Sequence, residues 1–125
     1  MTSSFYNIFA WQKAHEFVLE VYKVTKGFPE FEKFGLSSQF QRAAVSIPAN
    51  IAEGYKKMSK ADKLRFYNIA QGSLEECRYY IVLSKDLEYI SEEVYNKLFD
   101  MITDASKTLN AYCKGVMEKD FSNQI

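Results

Sequence analysis

The sequence predicts an all-α protein, an antiparallel up-down-up-down four-helix bundle. Apolar residues recur at alternating steps of three and four in four segments, which is the spacing of one face of a helix. Two of the three connections are only a few residues long, and short connections place sequential helices antiparallel. No run has the β-branched alternation that is typical of a strand. We therefore expect one domain over residues 1–125, with helices at about 6–26, 36–55, 60–88 and 92–118.

The first two helices are marked by residues that stop or bend a helix. Gly27 and Pro29 end helix one, because glycine favours a left-handed cap and proline lacks the N–H of a further turn. Pro48 lies inside helix two, and a proline there removes a backbone hydrogen bond and crowds the preceding turn, so we expect a kink. The apolar face of helix one is Trp11, Ala14, Val18, Val21 and Thr25, and that of helix two is Leu36, Phe40, Ala43, Ile47 and Ile51.

Serine residues begin the last two helices. Ser59 can cap helix three, and Asp62 three residues later favours the positive end of the helix dipole. Ser91 caps helix four and is followed by two glutamates. The inner faces are Phe66, Ala70, Ser73, Cys77, Tyr80, Ser84 and Leu87 on helix three, and Val94, Leu98, Met101, Ala105, Thr108 and Tyr112 on helix four.

Composition and the N-terminal residues argue against a highly charged nucleic-acid-binding protein, a secreted protein and a membrane-spanning protein. Lysine and arginine together equal aspartate and glutamate at 16 each, so no net charge attracts nucleic acid or an anionic membrane. Cys77 and Cys113 lie inside helical patterns without CxxC spacing, which favours a reduced, cytoplasmic protein. Residues 1–17 lack the features of a signal peptide, and the uncharged stretch 43–52 is too short to span a bilayer.

No catalytic pattern is present, so we expect a protein that is not an enzyme and uses no cofactor or metal. The one histidine, His15, has no cysteine or carboxylate at metal-ligand spacing. A di-iron bundle requires a glutamate followed three residues later by a histidine, and this pair does not occur. Glycine-rich phosphate loops and the nucleophile-elbow motif are also absent.

Helix two carries a polar stripe beside its apolar face. Steps of three and four relate its members, Gln39, Arg42, Ser46, Asn50 and Glu53. One interpretation is a solvated face on a helix that bends at Pro48. A second interpretation is an ordered polar cluster, within a seam of the bundle or between subunits. Such a cluster would fix how the packed helices or subunits align with each other. A ligand site is the third.

Charge is distributed unevenly along the chain. Five basic residues surround the connection between helices two and three against the single acid Asp62, whereas residues 86–104 hold six acids and Lys97. In an antiparallel bundle these connections lie at opposite ends, which predicts a basic rim and an acidic rim. A solvated turn would also explain the basic cluster. The candidate nucleic-acid contacts are Lys56, Lys57, Lys60, Lys63 and Arg65.

Helices three and four each carry a second apolar stripe, out of phase with the first. Aromatic residues make up 16% of the chain, and aromatic side chains favour interface cores. The stripes therefore predict assembly, although a wide apolar face could instead pack against two neighbours within one bundle. The predicted oligomer interface is Tyr67, Leu74, Ile81, Tyr95, Phe99, Ile102 and Leu109.

Three stretches resemble a known bacterial family: FAWQKAHEFVLEVYKVTKGFPEFEKFG, GLSSQFQRAAVSIPANIAEG and FYNIAQGSLEECRYYI. These are similar to four-helix bundle proteins encoded in intervening sequences of large-subunit ribosomal RNA genes. The resemblance covers roughly Phe9 to Glu88, and helix four matches only in its pattern. It implies a bundle that assembles as a ring-shaped homopentamer. It also implies distant kinship with the accessory protein of diversity-generating retroelements, a basic pentamer that works with a reverse transcriptase and nucleic acid.

These observations favour a non-enzymatic oligomeric scaffold or binding protein. Its expected partners are copies of itself, and RNA, DNA or a nucleic-acid enzyme at the basic rim, with no membrane. Two alternatives stay open. One is a homo-oligomeric protein-interaction module without a nucleic-acid role, and the other is a small-molecule binder at the polar stripe of helix two.

Overall fold

Four α-helices make up most of the computed structural model, which describes residues 4–122. Their bounds are α1 Phe9–Thr25, α2 Leu36–Lys56, α3 Lys60–Asp86 and α4 Glu92–Ser122. Short 3-10 helices occupy Phe5–Asn7 and Glu30–Glu32. No strand occurs within residues 4–122, and the predicted all-α fold is confirmed.

The first helix begins later than the sequence predicts. Residues 5–7 form a 3-10 turn because the Ser4 hydroxyl accepts a hydrogen bond from the Tyr6 N–H at 3.1 Å. Ile8 is extended, with φ −83° and ψ 117°, and separates this turn from α1. The start at residue 6 was therefore wrong by three residues, since periodicity does not distinguish a 3-10 turn from the helix that follows it.

The helices pack in chain order. Each of α1, α2 and α3 contacts the next helix, and α1 also contacts α4, which closes the bundle. Helices on the diagonal do not pack directly within the described residues. Apolar side chains from all four helices fill the centre, and the large, fully buried ones include Phe17, Phe40, Ile47, Ile51, Tyr67, Leu74, Ile81, Leu98, Ile102 and Leu109.

This packing corrects the prediction of an oligomer interface on the second stripes of helices three and four, because most of those residues lie in the core of one chain. Five of its residues are buried within a single chain: Tyr67, Leu74, Ile81, Ile102 and Leu109. Tyr95 and Phe99 are half-buried and pack against the same core. Because every helix of a closed bundle contacts two neighbours, α3 and α4 need apolar faces wide enough for both. The second stripes meet this need, so they give no separate evidence for a contact between subunits.

Helix α2 continues through Pro48, which is buried. Proline has no N–H to donate to the Ala44 carbonyl, so the helix lacks one backbone hydrogen bond there. The kink at Pro48 stays a prediction.

A side chain outside α2 caps its N-terminus. Glu32 Oε1 accepts a hydrogen bond from the Leu36 N–H at 3.0 Å, and Oε2 accepts one from the Tyr89 hydroxyl at 2.8 Å. Gly35 leaves room for this carboxylate, because a Cβ at that position would lie 2.8 Å from Glu32 Oε1. Tyr89 belongs to the connection between α3 and α4. The carboxylate therefore joins the two connections at this end of the bundle.

These bonds make the stability of the fold depend on pH. They lower the pKa of Glu32, mainly through the Leu36 N–H and then through the Tyr89 hydroxyl. A lowered pKa in the folded state stabilises the fold above the unfolded pKa, and this contribution is lost as pH falls through the folded pKa. We expect Glu32→Gln to lower the Tm at neutral pH and to have little effect in acid. Thermal unfolding at both pH values, with Glu30→Gln as control, tests this, and equal losses at both values would contradict it.

Candidate functional site: a polar groove and a basic end

A polar groove lies between α2 and α3. Its open cavity has a volume of about 310 Å³. Its walls are Gln39, Arg42, Ala43 and Ser46 from α2, and Ser73, Glu76 and Tyr80 from α3. Three residues of the predicted polar stripe therefore line one cavity. The α3 residues were missed as site residues, because Ser73 and Tyr80 read as core positions on helical spacing alone.

Ser46 is the centre of a hydrogen-bond network in this groove. Ser73 Oγ donates to Ser46 Oγ at 2.9 Å. Asn50 Nδ2 donates to Ser46 Oγ at 3.0 Å and to the Ser46 carbonyl at 2.7 Å. Ser46 and Asn50 lie on either side of Pro48 in the chain, so the network links the two halves of α2 where a backbone bond is missing. The ordered part of the stripe thus lies in the seam between α2 and α3.

Tyr80 is the centre of a second, separate set of hydrogen bonds in the groove. Its hydroxyl lies 2.6 Å from Glu76 Oε2 and 3.1 Å from Gln39 Oε1. Burial, followed by the hydrogen bond to Glu76, raises the pKa of Tyr80 to about 12. The phenol is therefore neutral at physiological pH and acts as a hydrogen-bond donor.

The remaining stripe residues stay outside the network. Arg42 is exposed and lines the cavity, but it has no ion-pair partner among the described residues. Glu53 is exposed and does not line the cavity. The described part of the chain holds no group of three or more histidine, cysteine or carboxylate side chains that could bind a metal. Burial also raises the pKa of the Cys77 and Cys113 thiols, which disfavours the reactive thiolate.

The predicted basic residues lie at the connection between α2 and α3, and one of them has a structural role. Lys63 Nζ donates to the Tyr55 carbonyl at 2.8 Å and lies 3.5 Å from the Gly54 carbonyl. It satisfies carbonyls in the last turn of α2, where a cation also complements the helix dipole. Charge counting could not reveal this, because the bond depends on how α3 folds back on α2.

Two other cations pack on an aromatic ring. Lys57 Nζ and the Arg65 guanidinium each lie 4.9 Å from the centre of the Phe66 ring. Arg65 also lies 3.9 Å from Asp62, with both side chains more than half exposed. An exposed pair of this kind is weak. Lys56 is exposed, so Lys56, Lys57 and Arg65 are the cations best placed to meet a partner; we call these three the basic cluster.

Exposed apolar side chains lie at the same end of the bundle. The antiparallel order brings the start of α1 to the end of α2, and the 3-10 turn at residues 5–7 packs on both helices. Tyr6, Phe9 and Met58 are exposed there, and Lys13 Nζ lies 5.3 Å from the centre of the Phe9 ring. Tyr6 and Phe9 were not predicted as site residues; their signal in the sequence is a pair of aromatic residues just before and at the start of a helix.

Residues 7–111 match the family of 23S rRNA-intervening sequence proteins. The chain belongs to this family. The match extends past the stretches that carried the resemblance and includes most of α4, the polar groove and the basic cluster. The resemblance stated from the sequence is confirmed.

A solved relative of this intervening-sequence protein has the same fold. It is the crystal structure of a protein of unknown function from the S23 ribosomal protein family of Bacteroides thetaiotaomicron. The two chains are 31% identical with a TM-score of 0.78, and the similarity covers 84% of this chain and 95% of that one. No curated protein matches the chain. Among the described residues, no helix is long and apolar enough to cross a membrane.

Proposed function

We propose that this intervening-sequence protein is a non-enzymatic scaffold that assembles with copies of itself and binds nucleic acid through its basic cluster. The observation that carries the proposal is the concentration of Lys56, Lys57 and Arg65 at one end of a chain with no net charge. A neutral chain has no long-range attraction for phosphate, so binding has to be local.

The surroundings of the basic cluster suit a nucleic acid better than an acidic protein. When lysine and arginine side chains contact phosphates, counterions that had condensed on the nucleic acid are released, and this release drives association. Exposed aromatic rings such as Tyr6 and Phe9 can stack with bases at the same end. The contact between Arg65 and Asp62 is long and exposed, so a phosphate can replace it at small cost.

Charge reversal of the basic cluster tests the nucleic-acid proposal. We expect Lys56→Glu, Lys57→Glu and Arg65→Glu together to weaken binding of a labelled DNA duplex and a labelled RNA by about tenfold or more, since phosphate contacts become repulsions. Lys63 is left unchanged because it caps α2. The matched control reverses Lys23, Lys97 and Lys107, which are exposed outside the basic cluster, and should bind as the wild type does. Equal binding by both triple variants, or no binding by the wild type at low salt, would refute the proposal.

The surface for assembly is the outer face of α2 and α3. Val45, Ile69 and Tyr79 are exposed there, and Gly72 lies between them on α3. A glycine inside a helix costs about 1 kcal/mol relative to alanine. A Cβ at Gly72 would meet nothing within 4 Å, so packing inside the chain gives no reason for a glycine. Close approach by a neighbouring copy would explain the glycine, because a side chain at this position would hold the two copies apart. Arg42 and Glu76 lie beside this face and could form ion pairs with the neighbouring copy.

A matched pair of glycines tests this surface. The family resemblance implies a homopentamer of 14.5 kDa chains, which light scattering coupled to size exclusion would measure. We expect Gly72→Arg to lower the assembled mass while the helical signal is kept. Gly115→Arg, at another open and exposed helix position, should leave the mass unchanged. A wild-type mass for Gly72→Arg would exclude this face, and a monomeric wild type would exclude assembly.

A further inference from the structure

A second cavity, of about 500 Å³, opens at the end of the bundle opposite the basic cluster. It lies between the last turns of α1, the connection at residues 26–35, and the first two turns of α2. Its volume is within the range of about 300–1,000 Å³ that is usual for small-molecule sites. Neither the family match nor the solved relative assigns a ligand to this cavity, and its lining combines aromatic, cationic and hydrogen-bonding groups.

Ser37 is a buried residue of this cavity whose hydroxyl stays unpaired within residues 4–122. It is only 8% exposed, it lines the cavity, and its hydroxyl has no hydrogen-bond partner among the described residues. Because Ser37 lines the cavity, its hydroxyl is open to water or to a molecule bound there, and either can supply a partner.

The start of α2 adds backbone donors next to this hydroxyl. Glu32 accepts the N–H of Leu36, whereas the N–H groups of Ser37 and Ser38 have no acceptor among the described residues. Unpaired N–H groups at the first turn of a helix, together with the helix dipole, favour a negatively charged group.

Two lysines bring positive charge to the same cavity. Lys26 and Lys33 line it, and neither has an ion-pair partner within the described part of the chain. Lys33 Nζ lies 5.7 Å from the centre of the Phe34 ring. Glu30 also lines the cavity, and the Glu32 carboxylate caps the start of α2 next to it, so the two lysines offset two carboxylates. A carboxylate in this position can accept hydrogen bonds from sugar hydroxyl groups.

Aromatic rings form the apolar part of the lining. Phe34 is 89% exposed and Tyr22 is 43% exposed, so both rings keep open surface beside the cavity, with Lys33 over the Phe34 ring. Gln41 Nε2 donates to Thr25 Oγ1 at 2.9 Å, which leaves the amide oxygen of Gln41 as an acceptor for an N–H of the ligand. A flat heteroaromatic ring meets these groups by stacking and by one hydrogen bond.

We infer that this cavity binds a nucleotide, with its base against Phe34 and Tyr22 and its phosphate held by Lys26, Lys33 and the start of α2. The Ser37 hydroxyl donates to the phosphate, and Glu30 accepts from the sugar. The site is separate from the basic cluster, so it does not depend on the proposed function.

Calorimetric titration of the full chain with AMP, adenosine and inorganic phosphate tests the ligand class. AMP is expected to bind in the low millimolar range or more tightly, and at least about tenfold more tightly than adenosine or phosphate, because it engages both halves of the cavity. Absence of AMP binding would overturn the inference. Phosphate that binds as tightly as AMP would also overturn it, since the aromatic rings would then have no role.

Single and double variants test whether AMP binds in this cavity. Ser37→Ala should leave the Tm unchanged, because the hydroxyl has no hydrogen bond within residues 4–122, and should weaken AMP binding by about three- to tenfold. Ser106→Ala on α4 is the matched control and should bind AMP as the wild type does. Lys26→Ala with Lys33→Ala should weaken AMP binding by about tenfold or more, and Lys56→Ala with Lys57→Ala should not. The reverse pattern would place the nucleotide at the basic cluster and refute the site.

Discussion

Leu109→Glu will unfold the bundle, whereas Leu19→Glu will leave it folded. Leu109 is 0% exposed on the inner side of α4, and Leu19 is exposed on α1. Truncation of a buried leucine alone removes about 2–5 kcal/mol. An unpaired carboxylate in its place adds a desolvation penalty of several kcal/mol. The sum is comparable with the whole free energy of unfolding of a domain, about 5–15 kcal/mol.

Far-UV circular dichroism and thermal unfolding of both variants decide this prediction. Leu19→Glu is the matched control, because it makes the same substitution on an exposed helix face. A Leu109→Glu variant that keeps its helical signal and Tm, and loses only its assembled mass, would show that Leu109 contacts a neighbouring subunit. That outcome would restore the interface predicted from the second stripe of helix four.

Gly54→Ala will destabilise the fold although alanine is the better helix former. A Cβ at Gly54 would lie 2.5 Å from Tyr67 Cε1 and 3.1 Å from Phe66 Cβ. Tyr67 is fully buried, and its ring packs edge-on against Tyr112 with centroids 5.3 Å apart, so it cannot move away freely. Overpacking of this kind costs about 1–3 kcal/mol. The gain in helix propensity offsets at most about 1 kcal/mol.

The Tm of Gly54→Ala should fall by several degrees, at roughly 4 °C for each kcal/mol. Gly115→Ala is the control, since a Cβ there meets nothing within 4 Å. It should have a Tm equal to or above that of the wild type. A Gly54→Ala protein with an unchanged Tm would mean that Tyr67 can shift, and that α2 and α3 are packed less tightly there than the distances indicate.

Local signals in the sequence predicted the helices well. Ser59 Oγ accepts a hydrogen bond from the Asp62 N–H, and Ser91 Oγ accepts one from the Val94 N–H, each at 3.1 Å. Both are the predicted N-caps, and α3 and α4 begin at the predicted residues. Such signals are readable because a cap involves residues only two or three positions apart. The polar stripe of α2 was also found, because helical spacing places its members on one side.

Features that depend on how helices rotate against each other were not predictable. Spacing reveals that α4 is apolar on two adjacent faces, but it does not say whether a second face contacts the same chain or another copy. The bond from Lys63 to the Tyr55 carbonyl and the cavity around Ser37 join segments whose distance depends on the folded connections. Their side chains looked like ordinary surface residues in the sequence.

The salt dependence of nucleic-acid affinity tests the proposed function most directly. Each phosphate contact to duplex DNA contributes a slope of about −0.9 in a plot of log affinity against log salt. If Lys56, Lys57 and Arg65 each contact a phosphate, the slope for the wild type will be about −2.7 per chain, and steeper in an assembly. The triple charge-reversal variant should lose that dependence. A wild-type affinity that does not change with salt, or an identical slope in the variant, would contradict binding through the basic cluster.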